Sequence, residues 1–305
     1  MASKEQLKFT MNKKSLVSIL MNCHNGEQFL EFSLRSIIEQ TYQNWELIFW
    51  DNRSTDNSAK ILKKFNDKRI RYFYAKKKTS LYEARNLAIS KTKGEFIAFL
   101  DVDDIWSKEK LAIQIPKFQN KKIGLVYSNF FIFKDNKKKI AYKNTLPKGQ
   151  VTDKIIKNYQ IGILTVIIRK KFLKKKKIFD PKYDLIADYD FILDFSMYHQ
   201  FYSVNRPLAC YRIHENQLQK KKMILQANQF CKWFKNKKIN KKFKGFDLTN
   251  IKKKLDYSNV IKDLEKSKFK TYYKIFKKFN LKNFVKISAY FLLPKKIFFR
   301  LINNV

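Results

Sequence analysis

Glycine and proline are scarce, at 6 and 5 of 305 residues, which excludes collagen-like repeats and low-complexity linkers. Cysteine is scarcer still. Cys23, Cys210 and Cys231 are odd in number and far apart, so they build neither a disulfide framework nor a C-x-x-C metal ribbon, and a reducing compartment suits them. No apolar run approaches the ~20 residues of a membrane-spanning helix; the cleanest uncharged stretch near the C-terminus, 287–294, is bracketed by Lys286 and Lys295. The apolar run that follows Met11 stops after Met21, and Asn22 is a poor residue before a cleavage point, so this segment is expected to be a first β-strand and not a secretory leader. Acids are few as well, 26 Asp+Glu against 66 Lys+Arg, for a formal net charge of +40. What the chain does have is 45% hydrophobic and 16% aromatic residues, enough for a buried core in one large or two modest domains.

The charge is unevenly placed. Residues 216–305 hold 25 Lys+Arg and 4 acids, a net +21, which leaves +19 on the first 215 residues. Such a field attracts polyanions: nucleic acid, an anionic membrane face or a phosphorylated substrate. A coding bias toward Lys, Asn, Ile and Phe would give the same excess as plain solvated surface. Near the C-terminus the lysines are interleaved with aromatics, and helical spacing puts Phe269, Tyr272, Tyr273, Phe276 and Phe279 on one stripe. That pattern suits a basic amphipathic helix on an anionic bilayer surface; packing of the stripe on the rest of the protein is the alternative.

The first 130 residues alternate apolar runs with helical patterns. Strands are expected at 16–23, 46–52, 70–75, 96–101 and 123–133. Glu27 to Gln40 places Phe29, Leu30, Leu34, Ile37 and Ile38 on one helical face, and Ser54-Thr55-Asp56 caps a helix running to Phe65. Further helices are expected over 79–92 and 107–118. Strands joined by crossover helices imply a parallel α/β sheet, in which ligands sit beyond the carboxyl ends of the strands. Those ends read Asn22-Cys23-His24-Asn25-Gly26, then Asp51-Asn52, then Asp101-Val102-Asp103-Asp104. Three carboxylates within four residues repel one another unless a cation or hydrogen-bond donors intervene. Mn2+ or Mg2+ is the simplest answer, because hard cations prefer oxygen ligands and share carboxylates with substrate phosphates. Alone, the same run reads as a solvated turn with Asp104 capping the next helix.

Six segments in order, VSILMNCHNGEQFL, LIFWDNRSTDNS, EARNLAI, GEFIAFLDVDDIW, DYDFILDFS and PLACYRIH, resemble family 2 glycosyltransferases of the GT-A fold over residues 15–216. The resemblance implies an α/β, Rossmann-like, mixed and mostly parallel sheet flanked by helices. By the same resemblance Asp101 and Asp103 form the D-x-D pair that meets the ribose and a metal bridging the nucleotide's diphosphate, with Asp103 the first choice as direct ligand and Asp104 a substitute. Asp51 takes the carboxylate position that hydrogen-bonds the base, and His24 and Asn25 line that pocket. Arg85 and Asn86 match a helix near the diphosphate, where Arg85 offers phosphate donors or else pairs with Glu83 or Glu95; Ser80 stands where the family often has glycine. Asp188 aligns with the catalytic base, next to Ala187 where a glutamate is usual, and Asp190 or Asp194 caps or orients the same helix. In Tyr211-Arg212-Ile213-His214, Arg212 or His214 reaches the diphosphate, and His214 is a candidate metal ligand. Trp106 packs against the acceptor channel or the core.

The organisation expected is an N-terminal extension (1–14), a catalytic domain (15–216, with a nucleotide-sugar half to 135 and an acceptor half from 136) and a basic, aromatic-rich helical tail (217–305). The resemblance implies an inverting transferase that moves a sugar from a nucleotide-diphosphate donor, UDP-linked by preference, to a hydroxyl of a glycan or lipid-linked acceptor in bacterial surface polysaccharide or lipooligosaccharide synthesis. The tail would hold it peripherally on the cytoplasmic face of the inner membrane. The alternatives are a nucleic-acid-binding protein, supported by charge and aromatics but lacking any recognised binding signature, and a non-catalytic scaffold of the same fold.

Overall fold

The computed structural model describes residues 15–173, 177–215, 222–236 and 241–266. The chain divides into two compact units, Met1–Lys221 with Gly245–Leu248, and Lys222–Lys244 with Thr249–Val305.

In the first unit, β1 (Val17–Cys23), α1 (Leu30–Ile38), β2 (Trp45–Asp51), α2 (Ser58–Lys64), β3 (Ile70–Tyr74), α3 (Leu81–Ile89) and β4 (Phe96–Phe99) follow one another. Every residue of β1, β2 and β4 is buried, as continuous apolar runs dictate for strands covered on both faces. α1 buries Leu30, Leu34 and Ile37, the stripe expected from their spacing; fully burying each such side chain contributes roughly 1.5–3 kcal/mol. The helix begins three residues later than its pattern suggests, because Gly26 O accepts from both Phe29 N and Leu30 N in a preceding turn. α2 likewise starts at Ser58, whose amide is held by Asp56 Oδ1 at 3.0 Å.

The chain continues through β5 (Ile105–Trp106), α4 (Lys110–Gln114), β6 (Ile123–Lys134), β7 (Lys137–Ile140), α5 (Thr152–Lys157), β8 (Ile167–Arg169), α6 (Ala187–Ser196) and β9 (Gln200–Arg212). One sheet takes them all in the order β3-β2-β1-β4-β8-β6-β9-β5, with β7 paired to β6. β3, β2, β1 and β4 run parallel, as do β6 and β9, while β8, β5 and β7 pair antiparallel. The sheet is therefore mixed. The parallel half carries the three strand ends named above, and β5, directly after the Asp101–Asp104 loop, pairs antiparallel with the end of β9.

The second unit contains α7 (Met223–Lys235) and α8 (Thr249–Lys266). Phe230, Trp233, Phe243 and Ile251 are buried within it, and Cys231 Sγ donates to Asn259 Oδ1 at 3.2 Å. None of the three cysteines is in a disulfide. The aromatic stripe expected at 269–279 and the extension at 1–14 lie outside the described residues, and no described helix is long and apolar enough to cross a membrane.

Candidate active site

Parallel pairing sets Cys23 opposite Asp51, so the loops after β1 and β2 are neighbours by construction. They are laced together. Asn25 Oδ1 accepts from Thr55 N (2.8 Å), Gly26 N donates to Ser58 Oγ (2.9 Å) and Glu27 N donates to Asp56 Oδ2 (2.9 Å). Asn25 and Arg53 both hold positive φ, 56° and 67°, a strained backbone of the kind that accumulates where a loop must present groups to a ligand. Gly26 closes against the acidic loop: a Cβ there would meet Val102 Cγ2 at 3.0 Å.

Asp51 is buried, with Oδ1 accepting from Ser54 N (2.7 Å) and Oδ2 from the Tyr72 hydroxyl (2.9 Å). Burial and that bond push the Tyr72 phenol up. His24 is exposed, with Nε2 at 2.6 Å from Lys78 Nζ; a protonated lysine there requires an imidazole that accepts at Nε2. Neither Tyr72 nor Lys78 follows from the strand-end motifs, since both reach the site from the neighbouring edge strand and its loop.

Arg85 is 2% exposed and its Nη2 donates to both oxygens of Asp101, at 2.6 and 2.8 Å. Burial works against its charge, but Asp101, Tyr82 and Asp188 outweigh it and raise the guanidinium further. Its Nη1 is buried with no hydrogen-bond partner. The ion pair is thus with Asp101, and neither Glu83 nor Glu95 supplies it; Glu95 pairs with Arg169 at 3.0 Å. Asn86 does different work. Its side chain accepts from Ile178 N and Phe179 N (both 3.1 Å) and donates to Phe179 O (2.7 Å), pinning the strand of chain that leads to α6.

The other two acids of the loop meet the end of β9. Asp103 Oδ2 lies 2.9 Å from His214 Nε2, and Arg212 Nε donates to Asp103 O at 3.0 Å. Asp104 is buried and accepts from Arg212 N at 3.0 Å; burial first, then the Asp103 and Asp101 charges, push its carboxyl well above the usual range. The Arg212 guanidinium lies over Phe29 at 4.6 Å, and the His214 ring is 4.9 Å from the same phenyl. His214 Nδ1 is buried without a partner. Trp106 is buried with Nε1 donating to Leu164 O at 2.8 Å, which makes it part of the core.

Asp188, the second residue of α6, is half-buried. It lies beside the Tyr82 phenol, which burial and this carboxylate push far up, and it acts in the same direction on buried Tyr159. Tyr159 Oη has no partner. Tyr82 also stacks under the Arg85 guanidinium at 4.6 Å. Asp101, Arg85, Tyr82 and Asp188 therefore form one continuous line from the acidic loop to α6. Asp190 and Asp194 stand further along α6, both half-buried. A groove of about 670 Å³ lined by Leu62, Phe65, Arg69 and Tyr72 lies on the flank of α2 and β3 and shares only Tyr72 with this constellation.

The donor set suits a hard divalent cation. Asp103 and His214 present a carboxylate and an imidazole to each other, and Asp101 and Asp103 add their charges to the burial that raises the Asp104 carboxyl. Among the described residues no three metal-binding side chains gather into a cage; a cation that shares its ligands with a substrate diphosphate needs none.

The fold is similar to that of S. aureus TarS solved in complex with UDP (TM-score 0.58, 18% identity, covering 87% of this chain and 76% of that one) and to that of the Pyrobaculum calidifontis mannosyltransferase PcManGT solved in complex with GDP-Man and Mn2+ (0.58, 14%, 94% and 83%). The family model for glycosyl transferase family 2 matches residues 18–184, and the chain belongs to that family. Over 158 residues it is 38% identical to Escherichia coli WfgD, a UDP-Glc:alpha-D-GlcNAc-diphosphoundecaprenol beta-1,3-glucosyltransferase, covering 52% of this chain. Over 162 residues it is 30% identical to Bacillus subtilis TuaG, a putative teichuronic acid biosynthesis glycosyltransferase, again covering 52% of this chain. The chain spans 62% and 64% of the lengths of these two relatives.

Proposed function

We propose that this protein transfers a sugar, with inversion, from a UDP-linked donor to a hydroxyl of a glycan or lipid-linked acceptor in the synthesis of a bacterial surface polysaccharide, working at the cytoplasmic face of the inner membrane. The observation that carries the reading is the line Asp101–Arg85–Tyr82–Asp188, which joins a donor-side acid loop to a carboxylate on another element. Asp51 and Asn25, with His24 beside them, are suited to the nucleoside, and Arg85 Nη1 is an unspent cationic donor for a phosphate oxygen. Asp103 and His214 would hold Mn2+ or Mg2+, which when bound offsets the charge that develops on the departing diphosphate. Asp188 takes the proton of the acceptor hydroxyl as its oxygen bonds to the anomeric carbon and the bond to the diphosphate oxygen breaks on the opposite face. Holding both substrates on one rigid sheet end supplies the positioning that such a displacement needs.

Heating the protein with and without UDP and Mn2+ tests the donor half. A rise in Tm that depends on both is expected, and it should be lost in Asp103→Asn; an unchanged Tm in the wild type counts against the donor site.

A further inference from the structure

Asn22, the last residue but one of β1, is 8% exposed, and its side-chain Nδ2 is buried with no hydrogen-bond partner. A buried amide nitrogen left in that state costs stability, and the reaction proposed above does not use it.

β1, β2 and β3 are laid down in one direction across the sheet, and β4 returns to the other side of β1. The strand order therefore reverses between β1 and β4, the point at which the crevice beyond the strand ends receives ligands in sheets of this kind. The two faces of the sheet divide the strand ends between them. Val17, Ile19, Met21 and Cys23 belong to the core cluster that holds Leu30, Leu34 and Leu62 of α1 and α2, and Asp51 shares that face because it pairs with Cys23. Alternation turns Asn22 to the opposite face, where α3 packs on β1 and β2. The rings confirm it: Tyr82 of α3 and Phe99 of β4 meet the same Phe179 ring, at 4.9 and 5.8 Å, and Phe99 pairs with Leu20, two residues before Asn22.

The contact of β1 with β4 runs on through Leu100 N, which donates to Leu20 O at 3.0 Å, and it brings Asn22 level with Asp101. On its other side Asn22 pairs with Trp50, whose indole has only a donor to offer. Both oxygens of Asp101 accept from Arg85 Nη2. Asn22 Nδ2 and Arg85 Nη1 are thus two unspent donors beside one carboxylate, at the reversal point and on the α3 face. Two donors there suit an oxyanion.

We propose that Asn22 binds the sugar donor: its Nδ2 donates to a diphosphate oxygen together with Arg85 Nη1, while the nucleoside stays on the Asp51 face. This rests on the glycosyltransferase reading above and adds to it a residue that grips the leaving group, where a hydrogen bond gains strength as charge develops.

Calorimetry on the full chain with saturating Mn2+, using UDP and uridine as probes, tests it. Asn22→Leu, close in size but without a donor, should weaken UDP binding about tenfold, the worth of one hydrogen bond to a charged group, and leave uridine binding unchanged. The Tm of the UDP-free protein should hold or rise, because Nδ2 has no internal bond to lose. Asn22→Asp keeps the shape and sets a second carboxylate beside Asp101, so it should weaken UDP binding more than Leu does, and it decides the matter if the Leu variant does not fold. Undiminished UDP affinity in the folded variants, or an equal loss of uridine binding, would overturn the assignment and leave the donor reading standing. A wild-type protein that binds no UDP would overturn the donor reading itself, and the role of Asn22 with it.

Discussion

Two of the buried groups with unmet hydrogen-bonding capacity lie along the line between the acid loop and α6. Arg85 Nη1 and Tyr159 Oη are enclosed without partners, a state that costs roughly 1–3 kcal/mol per group unless something else supplies the bond. A ligand is the natural supplier. Arg85→Lys keeps a cation for Asp101 but removes the second nitrogen, and it should weaken UDP binding about tenfold by calorimetry, the worth of one charged hydrogen bond; undiminished affinity would place Nη1 away from the donor. Tyr159→Phe should lower kcat/KM for the acceptor several-fold while leaving Tm unchanged or higher, since the hydroxyl has no internal bond to lose. The carboxylates and Arg85 are legible in the sequence because they follow apolar runs or sit in short motifs. Tyr159 and Tyr82 are not. Each reads as an ordinary core aromatic until the fold brings residues from distant elements to the same carboxylate.

At the level of elements, two side chains tie distant segments together. Glu46 on β2 accepts from Ser18 Oγ on β1 (2.6 Å), from Arg71 Nη1 on β3 (2.7 Å) and from Lys93 N ahead of β4 (2.6 Å). Burial works to raise its carboxyl, but these bonds outweigh it and hold it below the usual range. A depressed folded-state pKa stabilises above the unfolded value and is lost as pH falls through the folded one. Glu46→Gln should therefore cost about 1–3 kcal/mol at pH 7, by denaturant unfolding, and the gap to wild type should close in acid. Asn86 is the second tie. Asn86→Ala should remove three bonds to Ile178 and Phe179, destabilise the protein by about 1–3 kcal/mol and reduce transfer by letting α6 drift. The parallel half of the sheet is legible from its buried strands. The antiparallel strands β5, β7 and β8, two to four residues long, are too short to show a period, and Asn86 looks like part of a nucleotide motif although its partners are more than 90 residues away.

Charge is the property of the molecule as a whole. A net +40 gives long-range attraction to anionic surfaces that salt weakens. The proposed membrane role of the tail makes a definite demand: changing Lys268, Lys270, Lys274, Lys277 and Lys278 to Gln in the full chain should reduce co-sedimentation with phosphatidylglycerol vesicles at least tenfold near 0.1 M salt, since each lysine near such a surface is worth about 1 kcal/mol. Unchanged sedimentation would return the aromatic stripe to a packing role.

The central claim, that one cleft holds the donor on its acid loop and the proton acceptor on α6, is tested most directly by Asp188→Asn. With a UDP-sugar that the wild type hydrolyses or transfers, the variant is predicted to keep the donor affinity of the wild type and to lose transfer by about a thousandfold or more, on the scale of general-base catalysis. Transfer at the wild-type rate would contradict it.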